Sequence, residues 1–224
     1  MGSNTDFDPA EIAYVPTPGV RKVFETPLVQ ATAESVKGYG HIVESPENFP
    51  IEIVRWPAQG WQPVDANSGD QGGTAEGVFE FWWKGDTLYA RNNAVGDSYL
   101  FTWSQFPEDS TTSGTGRPRE RALIWRANYH PDGGQLFYPM DGQSFVVPLA
   151  LLGDDVTLDK FVAFRCDGGK SLYIHPNIWH GAVVPVDDQS RFLDSQGRVH
   201  ARISVDFAKE FGGYLSVPLY PVKA

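Results

Sequence analysis

Two histidines lie close together in His175-Pro176-Asn177-Ile178-Trp179-His180. Pro176 ends a strand and Asn177 favours a turn, so the two imidazoles are expected to face each other across a tight connection. Such a pair can bind a metal or act as acid and base near neutral pH. The same spacing is met equally by two turn histidines bonded to backbone, since it is neither His-x-His nor a zinc-protease motif. His130 precedes Pro131-Asp132-Gly133-Gly134, a strong turn, and alone reads as a surface or loop histidine. His41 follows Gly40 and reads as structural or exposed, and His200 is undecided. Cys166 ends the apolar run Phe161-Val162-Ala163-Phe164-Arg165 and reads as a buried, inert thiol, because activation requires an electropositive neighbourhood. An arginine fork suits a carboxylate ligand, and Arg91 and Arg126 are the candidates; each also reads as a solvated strand charge. There is no Walker or dinucleotide fingerprint.

These residues must be positioned by short strands. Apolar runs alternate with Gly, Pro, Asn and Asp turns throughout the 224 residues, which predicts an all-β sandwich or barrel of jelly-roll type. The chain is expected to be a single domain over 1–224, with a mobile polar loop over 108–118. One short helix is expected over Thr32–Tyr39, capped by Thr32 and ended by Gly38 and Gly40. Over 199–207, Val199, Ala201, Ile203, Val205 and Phe207 form an apolar face. His200, Arg202, Ser204 and Asp206 point the other way, to solvent or to a lumen.

Acids outnumber bases 28 to 18, and no Lys/Arg cluster breaks the balance, so a nucleic-acid partner is disfavoured. One cysteine excludes an internal disulfide and a multi-cysteine zinc site. No apolar run approaches the ~20 residues of a membrane span, and the N-terminus lacks signal-peptide regions. A cytoplasmic protein without membrane contact is expected. Trp56, Trp61, Trp82, Trp83 and Trp103 suggest more apolar surface than one core can hide, hence a homodimer.

Three motifs in order resemble the ureidoglycolate lyases. His130-Pro131-Asp132-Gly133-Gly134-Gln135-Leu136-Phe137-Tyr138-Pro139-Met140 is similar to their His-Pro-x-x-x-Gln-x-Phe-x-Pro-Met segment. His175 to His180 is similar to His-x-Asn-x-Trp-His, and Tyr39-Gly40-His41-Ile42-Val43-Glu44 to Tyr-Gly-x-x-Ile-Glu. Asp206 sits where that family has a strand-borne Asp. The resemblance spans roughly 28–50 and 120–210, while 56–118 is longer and matches poorly. Gly181 and the run Ala127-Asn128-Tyr129 depart from the better-known bacterial members.

The resemblance implies a cupin-type double-stranded β-helix, commonly dimeric, cleaving ureidoglycolate, a small carboxylate, to glyoxylate and urea. His130, His175, His180 and Asp206 become the expected catalytic residues, converging in one cavity. Arg91, Gln135 and Trp179 become the expected substrate contacts. A divalent metal such as nickel, zinc, iron or manganese, held by His175 and His180, is an alternative to metal-free acid–base chemistry. Other readings stay open: a cupin enzyme acting on another small carboxylate or sugar acid, or a non-catalytic ligand-binding cupin.

Overall fold

The computed structural model describes residues 16–53, 62–66, 68, 73–153, 155–198 and 201–221. In chain order the strands are β1 (Val23–Glu25), β2 (Leu28–Gln30), β3 (Gly40–Val43), β4 (Thr74–Lys84), β5 (Thr87–Asn92), β6 (Asp97–Trp103), β7 (Arg121–Ile124), β8 (Arg126–Tyr129) and β9 (Gln135–Pro139). They continue as β10 (Phe145–Ala150), β11 (Val162–Cys166), β12 (Ser171–Ile174), β13 (Trp179–His180), β14 (Val184–Pro185), β15 (Gln189–Gly197), β16 (Ile203–Asp206) and, after α1 (Phe207–Phe211), β17 (Tyr214–Pro218). Among the described residues they form two sheets, one ordered β1-β17-β7-β6-β5-β4-β15-β9-β12-β3, the other β16-β8-β13-β10-β11-β2 with β14 beside β10. The all-β, cupin-type expectation is borne out.

Alternation explains how the sheets bury one face each. Ala201, Ile203, Val205 and Phe207 are fully buried, as the period-two pattern of that segment predicts, while Arg202, Ser204 and Asp206 point the other way. Val199 and His200 lie outside the described residues. Both sheets contribute to one hydrophobic cluster, with Phe79, Phe81 and Leu88 from the first and Phe145, Val147 and Phe164 from the second.

The helix expected over Thr32–Tyr39 is instead a run of turns. Thr32 does act as a cap, its Oγ1 accepting from Ser35 N at 3.1 Å. Val36 N reaches Thr32 O and Gly40 N reaches Val36 O, but the bonds between them are of the tighter i+3 kind, so no continuous α-helical ladder forms. The α-helix among the described residues is α1, near the other end of the chain.

The 108–118 segment wraps around Asp86. Its carboxylate accepts from Thr111 N at 3.0 Å, Thr115 N at 3.3 Å and Thr115 Oγ1 at 3.1 Å. Burial alone would raise the Asp86 pKa, yet these bonds, with Ser104, outweigh it and hold the group below its ordinary value. A Cβ on neighbouring Gly85 (φ +61°) would lie 2.0 Å from Thr111 O, so the close approach requires glycine.

Of the five tryptophans expected to overfill the core, Trp83 and Trp103 are buried and Trp82 is half-buried, stacked on Tyr89. Trp56 and Trp61 lie outside the described residues.

Candidate active site

Strand β8 and the residue after it carry Arg126, Asn128 and His130 at alternate positions, so all three point to one face. That face borders a cavity of about 230 Å³. His180 enters from β13, whose pairing places it opposite Asn128. Arg202, just ahead of β16, completes the polar wall, and Gln135 and Phe137 come from β9. The remaining wall is built by β4, β5 and β6 through Phe79, Asn92, Tyr99 and Phe101.

The two interior imidazoles are held in matching states. His130 Nδ1–H donates to Ala201 O at 2.9 Å and His180 Nδ1–H donates to Ile178 O at 3.0 Å. Each Nε2 is therefore unprotonated, a tautomer inferred from the bonding network. The Asn128 amide donates to both, at 3.1 Å to His180 Nε2 and 3.4 Å to His130 Nε2. The ring centroids are 5.1 Å apart. Burial pushes the His180 pKa down to about 4, so it is neutral at physiological pH, with its Nε2 lone pair turned to the Asn128 amide.

The cationic end is also ordered. Arg202 Nε donates to Asp65 Oδ2 at 2.9 Å, and Arg126 Nη2 donates to Ser204 Oγ at 2.8 Å. Arg126 approaches Asp65 only at 3.5 Å and sits over the Trp125 ring at 5.1 Å. Desolvation, and then the nearby Arg202 charge, lower the Arg126 pKa. An anion beside it would relieve both effects.

The structure brings His130, His180, Gln135 and the candidate arginine Arg126 to the cavity, and leaves the other expected site residues elsewhere. His175 follows β12 in the first sheet, whereas His180 lies on β13 in the second. Pro176 and Asn177 (φ +65°) form the crossing between the sheets rather than a connection that lets two imidazoles face each other. His175 instead meets His41, ring centroids 4.7 Å apart, and Glu52 Oε2 at 3.6 Å. Asp206 caps α1, accepting from Lys209 N at 3.1 Å, and pairs with Lys209 Nζ at 3.3 Å. Arg91 pairs with Glu80 at 2.7 Å across β4 and β5. Trp179 is fully buried and donates to Gly153 O at 2.8 Å, a packing role. Burial pushes the Cys166 thiol up to about 12, in keeping with an inert cysteine.

Asn128 and Arg202 are among the polar wall residues the motifs did not single out. The alternation Arg126-x-Asn128-x-His130 was the signal for the first, and the polar face of 200–206 for the second.

Among the described residues the donors do not fit a resident metal. Among the described residues no three His, Cys, Asp or Glu side chains converge. His175 and His180 are on separate sheets, and the lone pairs of His130 and His180 are met by one amide. A catalytic zinc takes three protein ligands.

Residues 121–206 match the family model of the ureidoglycolate lyases. A ureidoglycolate lyase of Stutzerimonas stutzeri is 36% identical over 64 residues, covering 29% of this chain and 38% of that one. One from Salmonella paratyphi B is 34% identical over 94 residues, covering 40% of this chain and 59% of that one. The match therefore spans less than two thirds of these relatives' length. The resemblance read from the motifs is borne out over 121–206, which contains β7 to β16 and both interior histidines.

Proposed function

We propose that the protein is a ureidoglycolate lyase, cleaving the hemiaminal to glyoxylate and urea by proton transfer. The observation that carries this reading is a neutral imidazole, His180, in the same cavity as the guanidinium of Arg126. The substrate carboxylate binds Arg126, whose Nε and Nη1 have no hydrogen-bond partner among the described residues. The substrate hydroxyl displaces the Asn128 amide from His180 Nε2, which takes the hydroxyl proton. The C–O bond becomes C=O as the C–N bond breaks, and its electron pair leaves on the urea nitrogen. The proton returns from Nε2 to that nitrogen, so one imidazole balances the reaction. His130 shares the Asn128 amide and lies beside the same path. Proton transfer of this kind contributes ~10²–10⁴-fold.

The route uses no metal, and chelator-treated protein is expected to retain its turnover. The assembly is a homodimer, as in the family it resembles, working on a small carboxylate in the cytoplasm. Light scattering that gave the 24.8 kDa monomer mass at micromolar concentration would overturn the dimer. No helix among the described residues is long and apolar enough to cross a membrane. The decisive test is release of glyoxylate and urea from ureidoglycolate by the purified protein. Absence of both products, with the protein folded, would refute the assignment.

A further inference from the structure

Behind the cavity wall lies a carboxylate that the proton-transfer scheme does not use. Asp194, on β15, has no exposed surface. Among the described residues it meets no cation at salt-bridge distance. Instead three side-chain amides donate to it: Gln135 Nε2 to Oδ1 at 2.7 Å, Asn92 Nδ2 to Oδ2 at 2.8 Å and Gln196 Nε2 to Oδ2 at 2.6 Å. Two of those amides, Asn92 and Gln135, line the cavity.

An ionised carboxylate only accepts, so it dictates which way each amide turns. Asn92 is then fully committed, because its Oδ1 accepts from Ala94 N at 2.9 Å. Gln135 differs. Its nitrogen is held inward, and the carbonyl oxygen is the end left for a ligand. We propose that Asp194 is a positioning residue that fixes Gln135 as a hydrogen-bond acceptor for the ureido N–H groups of the substrate. The inference rests on the ureidoglycolate reading and deepens it, because it names the group that distinguishes a ureido acid from other small carboxylates. The arginine end recognises any carboxylate; the Gln135 end recognises an N–H donor. Burial raises the Asp194 pKa to about 6, with the three amides opposing the rise, so the carboxylate is ionised at neutral pH. A site built to accept from a donor discriminates against an isostere lacking it, because the acceptor is left unpaired.

N-carbamoylglycine and 4-oxopentanoate form a suitable probe pair for titration calorimetry. They share a carboxylate, a carbonyl and nearly the same length, and the second replaces both nitrogens with carbon. The wild-type protein is expected to bind the first about tenfold more tightly, the effect of roughly one well-made hydrogen bond. Asp194→Asn presents an NH₂ to the three amides, frees Gln135 to flip and should bring that preference close to unity while affinity for 4-oxopentanoate holds. In a Gln135→Met background, which has no preference to lose, Asp194→Asn should then change nothing further. A folded Asp194→Asn protein that keeps the preference, or that loses affinity for both probes alike, would overturn the proposal. If that variant does not fold, Gln135→Met decides alone: a retained preference refutes, a lost one supports. Wild-type turnover of ureidoglycolate is scored separately. Turnover without the probe preference sinks this inference only, and preference without turnover sinks the lyase reading only.

Discussion

Among the described residues two pairs of histidines lie close together, and they have little in common beyond their residue type. His130 and His180 lie in the interior, each with Nδ1–H on a backbone carbonyl and Nε2 turned to Asn128. His41 and His175 lie at the edge of the first sheet, where β3 pairs with β12, packed edge-on beside Tyr173 and Glu52. The inner pair has fixed tautomers, and its His180 has a strongly depressed pKa. The outer pair is a ring contact with a solvent-exposed carboxylate at 3.6 Å, which contributes little. Proximity in space does not make an acid–base site; burial and second-partner hydrogen bonds do.

The sharpest way to break this contrast is mutational. His180→Ala is expected to lower kcat by ~10²–10⁴-fold with a smaller change in KM. His175→Ala should stay within about twofold of wild type, since its carboxylate contact is exposed and nothing ties the ring to the cavity. Steady-state kinetics on both variants, with folding checked by circular dichroism, decides. Equal losses would erase the distinction.

A second test uses pH. The folded pKa of His180, about 4, lies below the ordinary 6.5, so its contribution to stability is complete above 6.5 and is lost as pH falls through 4. The full loss is roughly 3 kcal/mol. Asp194 works in the opposite direction: its folded value of about 6 exceeds the ordinary 3.8, so its contribution is complete below 3.8 and is lost as pH rises through 6. Denaturant melts across pH 7 to 4 should show wild type weakening less than His180 alone dictates. His180→Gln should become relatively more stable on acidification. The acid limb of kcat/KM set by His180 is expected near pH 4 rather than 6.5.

The arginines sharpen the comparison further. Arg126→Ala should raise KM roughly tenfold to a few hundredfold, the loss of a charge-assisted contact worth ~1.5–3 kcal/mol. Arg91→Ala should leave KM unchanged, because Arg91 serves Glu80 at a half-exposed position. The smallest effect belongs to Asp206→Ala, about 1 kcal/mol of stability from the lost cap of α1, with kcat retained. A kcat loss there would return Asp206 to the catalytic set.

The parts of this arrangement that the chain announces are local ones. Alternation over 201–207 specifies which side chains are buried, and the Gly/Pro-punctuated apolar runs specify an all-β fold. The pairing of His175 with His180 failed because the four residues between them carry the path from one sheet to another, and strand membership is set by long-range pairing that no short window contains. The Thr32 cap was legible, yet Gly38 and Gly40 close the segment before a helical ladder forms. Nothing within Phe192-Leu193-Asp194-Ser195-Gln196 singles out Asp194. Its partners Asn92 and Gln135 come from strands distant in sequence, so its role appears only when β5, β9 and β15 meet in one sheet.

The cavity's walls come from two stretches, one inside the family match and one outside it. His130, His180, Asn128 and the arginines fall within 121–206, which matches the lyase family, whereas Phe79, Asn92, Tyr99 and Phe101 come from β4 to β6, outside that match. Substitutions in the second stretch can reshape what fits without touching His130 or His180. The pocket thus has two separable handles: one wall carries the groups of the proposed reaction, and the other sets the shape of what fits.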